Sequence, residues 1–154
     1  MTAELTEGLR NWAEGYTAET AAVNLLITHD VWLRRADFVN RCVHQVPVSE
    51  LADPARPIAH IDWEKAVRAL NRRTFPASSS EVGVLRIAAS LAEDHPVKLR
   101  DALVGMDATT TAEVITAVIA ATGHRDRLTL TPAARNHRVP PGFEIDPGYG
   151  HPTS

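Results

Sequence analysis

One segment restricts the fold more than any other. Over residues 79–93, Val82, Val84, Leu85, Ile87 and Leu91 cover most of a helix circumference, leaving one narrow polar line of Gly83, Arg86, Ser90 and Glu93. Ser78, followed three residues later by Glu81, is a capping box that sets where this helix begins. A helix so apolar must be enclosed by other elements, so the rest of the chain has to supply the enclosing faces.

Helical periodicity supplies them. Leu5, Leu9 and Trp12 lie at i, i+4 and i+7, with Gly15 as a stop. Thr17 caps a second helix over about 18–28, carrying Ala22, Val23, Leu26 and Ile27. A third, about 36–45, aligns Phe38 with Cys42 and Val39 with Val43. Asp62 caps a helix over about 63–72 with Trp63, Val67 and Leu70 on one face. After Pro96 a short helix carries Leu99, Ala102 and Leu103, and Asp107 caps a last one over about 108–122. The apolar Val114, Ile115, Val118 and Ile119 make that last helix the expected centre of the core. Ile58–Ile61 has the composition of a short strand, but no partner strand is visible nearby, so residues 47–61 read as loop.

The expected fold is therefore all-α: one domain of six to seven short helices over residues 1–128, with an extended or disordered Pro/Gly-rich tail over 129–154. Five of the ten prolines fall between Pro132 and Pro152, a composition that cannot offset the entropy of ordering it. With only eight Trp, Tyr and Phe, the core has to be built from Ala, Leu, Val and Ile. The abundant apolar faces permit a dimer or a monomer equally.

Several function classes are set aside by the same residues. No run approaches the roughly 18 apolar residues of a membrane helix, and Glu4, Glu7, Arg10 and Glu14 interrupt any signal-like core. The single cysteine, Cys42, excludes an intramolecular disulfide and any Cys-clustered zinc site. No pair of the seven histidines has the i, i+4 spacing of two ligands on one helix face. His29-Asp30 and His60-Ile61-Asp62 are the nearest approaches to a His–carboxylate couple, although capping explains both aspartates. Neither a phosphate loop nor a nucleophile elbow is present. No cofactor, metal or catalytic residue is expected, and a small His/Asp hydrolase or metal enzyme ranks third among the readings.

Charge is distributed more informatively than its total of −3. Residues 1–29 carry net −3, residues 30–76 net +2 and residues 77–128 net −2. The basic excess gathers at Arg34, Arg35, Arg41, Arg68, Arg72 and Arg73, whose functional reading is an arginine patch for an acidic protein surface or for phosphates. The competing reading is a solvated face with pairs such as Glu64–Arg68 and Asp37–Arg41 at i, i+4. Residues 79–131 also have the order of a winged helix-turn-helix, with Thr109–Thr111 opening the recognition helix and Leu128 and Leu130 in the wing. That reading ranks second. The segment is acidic, and residues 108–122 hold no Lys, Arg, Asn or Gln to meet phosphates or bases.

Two stretches, Trp32-Leu33-Arg34-Arg35-Ala36-Asp37-Phe38-Val39 and VLRIAASLAEDHPVKLRDALVGMDATTTAEVITAVIAATGH from Val84 to His124, resemble segments of small helical proteins of high-GC bacteria. The likeness spans most of residues 8–125 and departs at Ser78–Gly83, where those proteins are richer in Gly and Arg. It implies a bacterial cytoplasmic protein and brings no activity, ligand or catalytic residue with it. The leading expectation is a non-enzymatic, adaptor-like helical domain that binds another protein.

Overall fold

The computed structural model describes residues 2–133 as seven α-helices and one two-stranded sheet. The helices are α1 (Ala3–Ala13), α2 (Thr17–His29), α3 (Ala36–Cys42), α4 (Trp63–Asn71), α5 (Ser79–Glu93), α6 (Leu99–Leu103) and α7 (Ala108–Ala121). The strands are β1 (Val43–Gln45) and β2 (Ala59–Ile61), paired antiparallel with His44 opposite His60. Most of the tail expected over 129–154 lies outside the described residues; residues 129–133 have no regular structure.

The start signals act where the sequence places them. Asp62 Oδ1 accepts from the Lys65 N–H at 2.8 Å, Asp107 Oδ1 from Thr110 at 2.7 Å, and Ser78 with Glu81 forms the reciprocal capping box. The second helix starts one residue earlier than expected, with Tyr16 before it and Thr17 inside it.

The chain is mostly helical, as expected, and the small two-stranded sheet is the one addition to the all-α reading. Residues 43–45 do not continue α3. The chain turns into an extended conformation there, and the Val46 N–H donates to the Ile58 carbonyl while Asp62 N–H donates to Cys42. β-branched Val43 and the approach to Pro47 favour this exit over another helical turn. The strand partner that Ile58–Ile61 lacked is thus the end of the third helical pattern. Each strand has three residues, too short for an alternation to show in the sequence.

The centre of the molecule is α5 against α2, not α7. Val84, Leu85, Ala88 and Ala89 of α5 and Ala22 and Leu26 of α2 are fully buried, and their alanines let the two backbones approach closely. Helix α7 covers one side of α2 with Val114 and Ala117, leaving Ile115 and Val118 about two-fifths exposed. Its apolar residues outnumber the neighbours available to cover them, so composition alone overstated its burial. Trp32, Phe38 and Phe75 close the base of the core, with ring centroids 5.4–5.8 Å apart, and the Trp32 indole donates to the Glu81 carbonyl at 2.9 Å.

Two glycines are fixed by contact. At Gly83 a Cβ would stand 2.0 Å from the Ala102 carbonyl oxygen, so only glycine lets α6 dock on α5. At Gly8 it would meet the Ala59 backbone nitrogen at 3.0 Å, where α1 crosses β2. The expected polar line on α5 therefore begins at a buried packing position.

Candidate functional site

The six arginines separate into three groups. Arg34 pairs with Asp30 at 2.6 Å and Arg68 with Glu64 at 2.6 Å, both surface pairs worth little stability. Arg35 serves the fold. Its guanidinium grips Asp37 at 2.6 Å, donates to the Pro76 carbonyl, and lies 4.9 Å from the Trp32 ring and 5.7 Å from the Phe75 ring. The bond from Arg35 holds the Asp37 carboxyl below its usual range. Asp37 is therefore not available to Arg41, which corrects the expected i, i+4 pair. Arg41, Arg72 and Arg73 face no carboxylate within ion-pair distance among the described residues.

Arg73 stands apart by its backbone. The end of α4 is a Schellman motif: the Thr74 N–H donates to the Ala69 carbonyl and the Arg73 N–H to Leu70, both at 3.0 Å. The left-handed residue this motif requires is usually glycine; here Arg73 holds it at φ 54°. Asp30 and Asp94 occupy left-handed positions at the ends of α2 and α5. Short polar side chains tolerate that region far better than a long one does.

Arg73 lines a cleft of about 1000 Å³ between the end of α4, the 72–77 connection, α5 and α6. Leu70, Phe75, Val82 and Ala102 form its apolar lining, and Arg73, Arg86, Lys98 and Asp101 its charged groups. Arg86 is steadied by donating to Asn71 Oδ1 at 3.0 Å. Three cations thus face one carboxylate over apolar ground. Of the arginines singled out from the sequence, only Arg73 belongs to this cleft; Arg86 and Lys98 were passed over because they lie in an acidic stretch of chain. The signal that would have found them is topological: Gly83 brings α6, and Lys98 just before it, onto the face of α5.

The histidine–aspartate couples are not joined by a hydrogen bond: Asp62 is occupied with the α4 cap and Asp30 with Arg34. His95 contacts Glu93 at 3.4 Å, not its neighbour Asp94. Glu19 has its carboxyl pKa raised by burial and by the nearby Glu93, opposed by the Trp63 indole. Burial, then the Asp62 charge, pushes the Cys42 thiol up to about 11, which removes the thiolate a nucleophile needs. Among the described residues, no three His, Cys, Asp or Glu side chains come together to hold a metal ion. Among the described residues no strand follows α7; of the threonines at its start, Thr110 is buried and Thr109 and Thr111 are exposed. No described helix is long and apolar enough to cross a membrane.

Comparison with protein-family models, curated proteins and solved structures returns no match for the chain.

Proposed function

We propose that this is a non-enzymatic interaction domain of the bacterial cytoplasm, which takes an acidic, partly apolar segment of another protein into the cleft between α4, α5 and α6. The observation that carries the reading is Arg73. A long cationic side chain is kept at the left-handed position of a helix end, where glycine is less strained. Backbone strain retained in this way points to a use for the side chain, and this one lies at a cleft that also holds Arg86 and Lys98. The cleft volume is at the upper end of the roughly 300–1,000 Å³ typical of small-ligand pockets, room for a few side chains of a segment. The apolar lining supplies burial and the cations supply orientation and on-rate.

The test is a binding comparison at low and high salt, using acidic peptides with interspersed Leu and Phe as probes and their lysine-for-glutamate counterparts as controls. The wild-type chain binds the acidic set in a salt-sensitive manner, and Arg73→Glu with Lys98→Glu abolishes it. Arg41→Glu, outside the cleft, leaves binding intact. Equal binding of both peptide sets, or of wild type and cleft variant, overturns the proposal.

A further inference from the structure

The β1–β2 pair carries a second arrangement that the cleft does not use. His44 and His60 are direct cross-strand partners, so their side chains leave the same face of the ribbon. Their ring centroids are 5.1 Å apart. Trp12 of α1 lies against the other neighbour in the row, with its ring 4.9 Å from that of His60. His44 is exposed and His60 half-buried. His95 is the only histidine with a side-chain hydrogen bond among the described residues, so the ring nitrogens of this pair have no protein partner there.

We infer that His44 and His60 form a two-imidazole chelate for a divalent late transition-metal ion, with water completing the coordination shell. The spacing is the first support. An imidazole nitrogen sits about 2.0–2.1 Å from such an ion, placing each ring centroid about 3.2 Å from it, so two rings at a tetrahedral angle stand about 5.2 Å apart. The second is availability: among the described residues no side chain hydrogen-bonds to either ring, so each histidine has a ring nitrogen to offer an ion. Imidazole donors with open water positions suit copper, nickel and zinc, with copper bound most tightly.

Trp12 makes the site readable. It is 48% exposed and next to the pair, whereas Trp32 and Trp63 are buried. Titration of the full chain with copper(II), nickel(II) or zinc(II) salts, followed by calorimetry and tryptophan fluorescence, gives one equivalent bound, with copper(II) quenching Trp12. Trp12→Phe keeps the binding and loses the quench. His44→Gln and His60→Gln each weaken binding by no less than the roughly tenfold that losing even an outer-shell partner costs. His44 is exposed, so its variant folds and decides the matter even if His60→Gln does not. The paired variant His137→Gln with His151→Gln binds like wild type. Binding that survives in His44→Gln, or that disappears with the His137/His151 pair, overturns the assignment. Neither outcome bears on the cleft, whose residues are all elsewhere.

Discussion

Replacing Arg73 with glycine should stabilise the protein while disabling its cleft. A non-glycine residue in the left-handed region costs roughly 1–2 kcal/mol, and Arg73 sits there at φ 54°. Glycine removes that cost but is more flexible in the unfolded chain, which returns about 0.5–1 kcal/mol. The Schellman bonds to Ala69 and Leu70 use backbone atoms only and survive the change. The net gain is about 0.5–1 kcal/mol, and for a folded body of this size it raises Tm by roughly 2–4 °C. Arg73→Ala is the essential companion, since it removes the guanidinium but keeps the Cβ and hence the strain. Thermal denaturation by circular dichroism should therefore rank glycine above arginine and alanine. Binding of the acidic peptides should fall alike in both variants. A glycine variant no more stable than alanine refutes the strain argument; peptide binding unchanged in both refutes the role of the side chain.

Gly83→Ala should undo the α5–α6 contact, because the new methyl would stand 2.0 Å from the Ala102 carbonyl. Overpacking of this kind costs about 1–3 kcal/mol, read as a lower urea midpoint, with loss of the acidic-peptide site. His60 resists protonation because of burial and His44, so below pH 6.5 the unfolded chain takes up a proton that the folded chain refuses. Its contribution to stability is full above pH 6.5 and is lost as pH falls toward the lower folded value; His60→Gln should flatten that part of the urea midpoint–pH curve. Cys42, fully buried and with its thiol pushed up to about 11, should ignore a disulfide reagent in the native protein and react at once in denaturant.

Most helix starts were legible because capping is local: Asp62, Ser78 with Glu81, and Asp107 each announce a helix within four residues. What escaped was set by meetings between distant segments. The β1–β2 pair joins residues sixteen apart at its centre, His44 and His60, and neither strand is long enough to show a period. The central position of α2 was hidden because its burial depends on small alanines, which look unremarkable beside the Val and Ile of α7. The cleft was hidden by counting charge along the chain. Arg86 and Lys98 belong to a segment of net −2, yet Gly83 and Ala102 fold them around onto the side of Arg73. Arg35 shows the reverse, a cation in the basic stretch whose fork is consumed by Asp37, Pro76 and two aromatic rings.

The two sides of the cleft differ in how firmly they are built. Helix α5 has fifteen residues, a capping box and six buried positions, whereas α6 has five residues, no side-chain cap bond and one buried residue, Ala102. A single turn and a half of helix does not persist alone in water, so α6 rests on its contact with Gly83 and should exchange its amide protons before α5 does. The cleft thus has one anvil and one yielding jaw. Under the proposed function, a visiting segment would be met by adjustment of α6 alone, and ordering that jaw would lower affinity while widening the range of segments accepted.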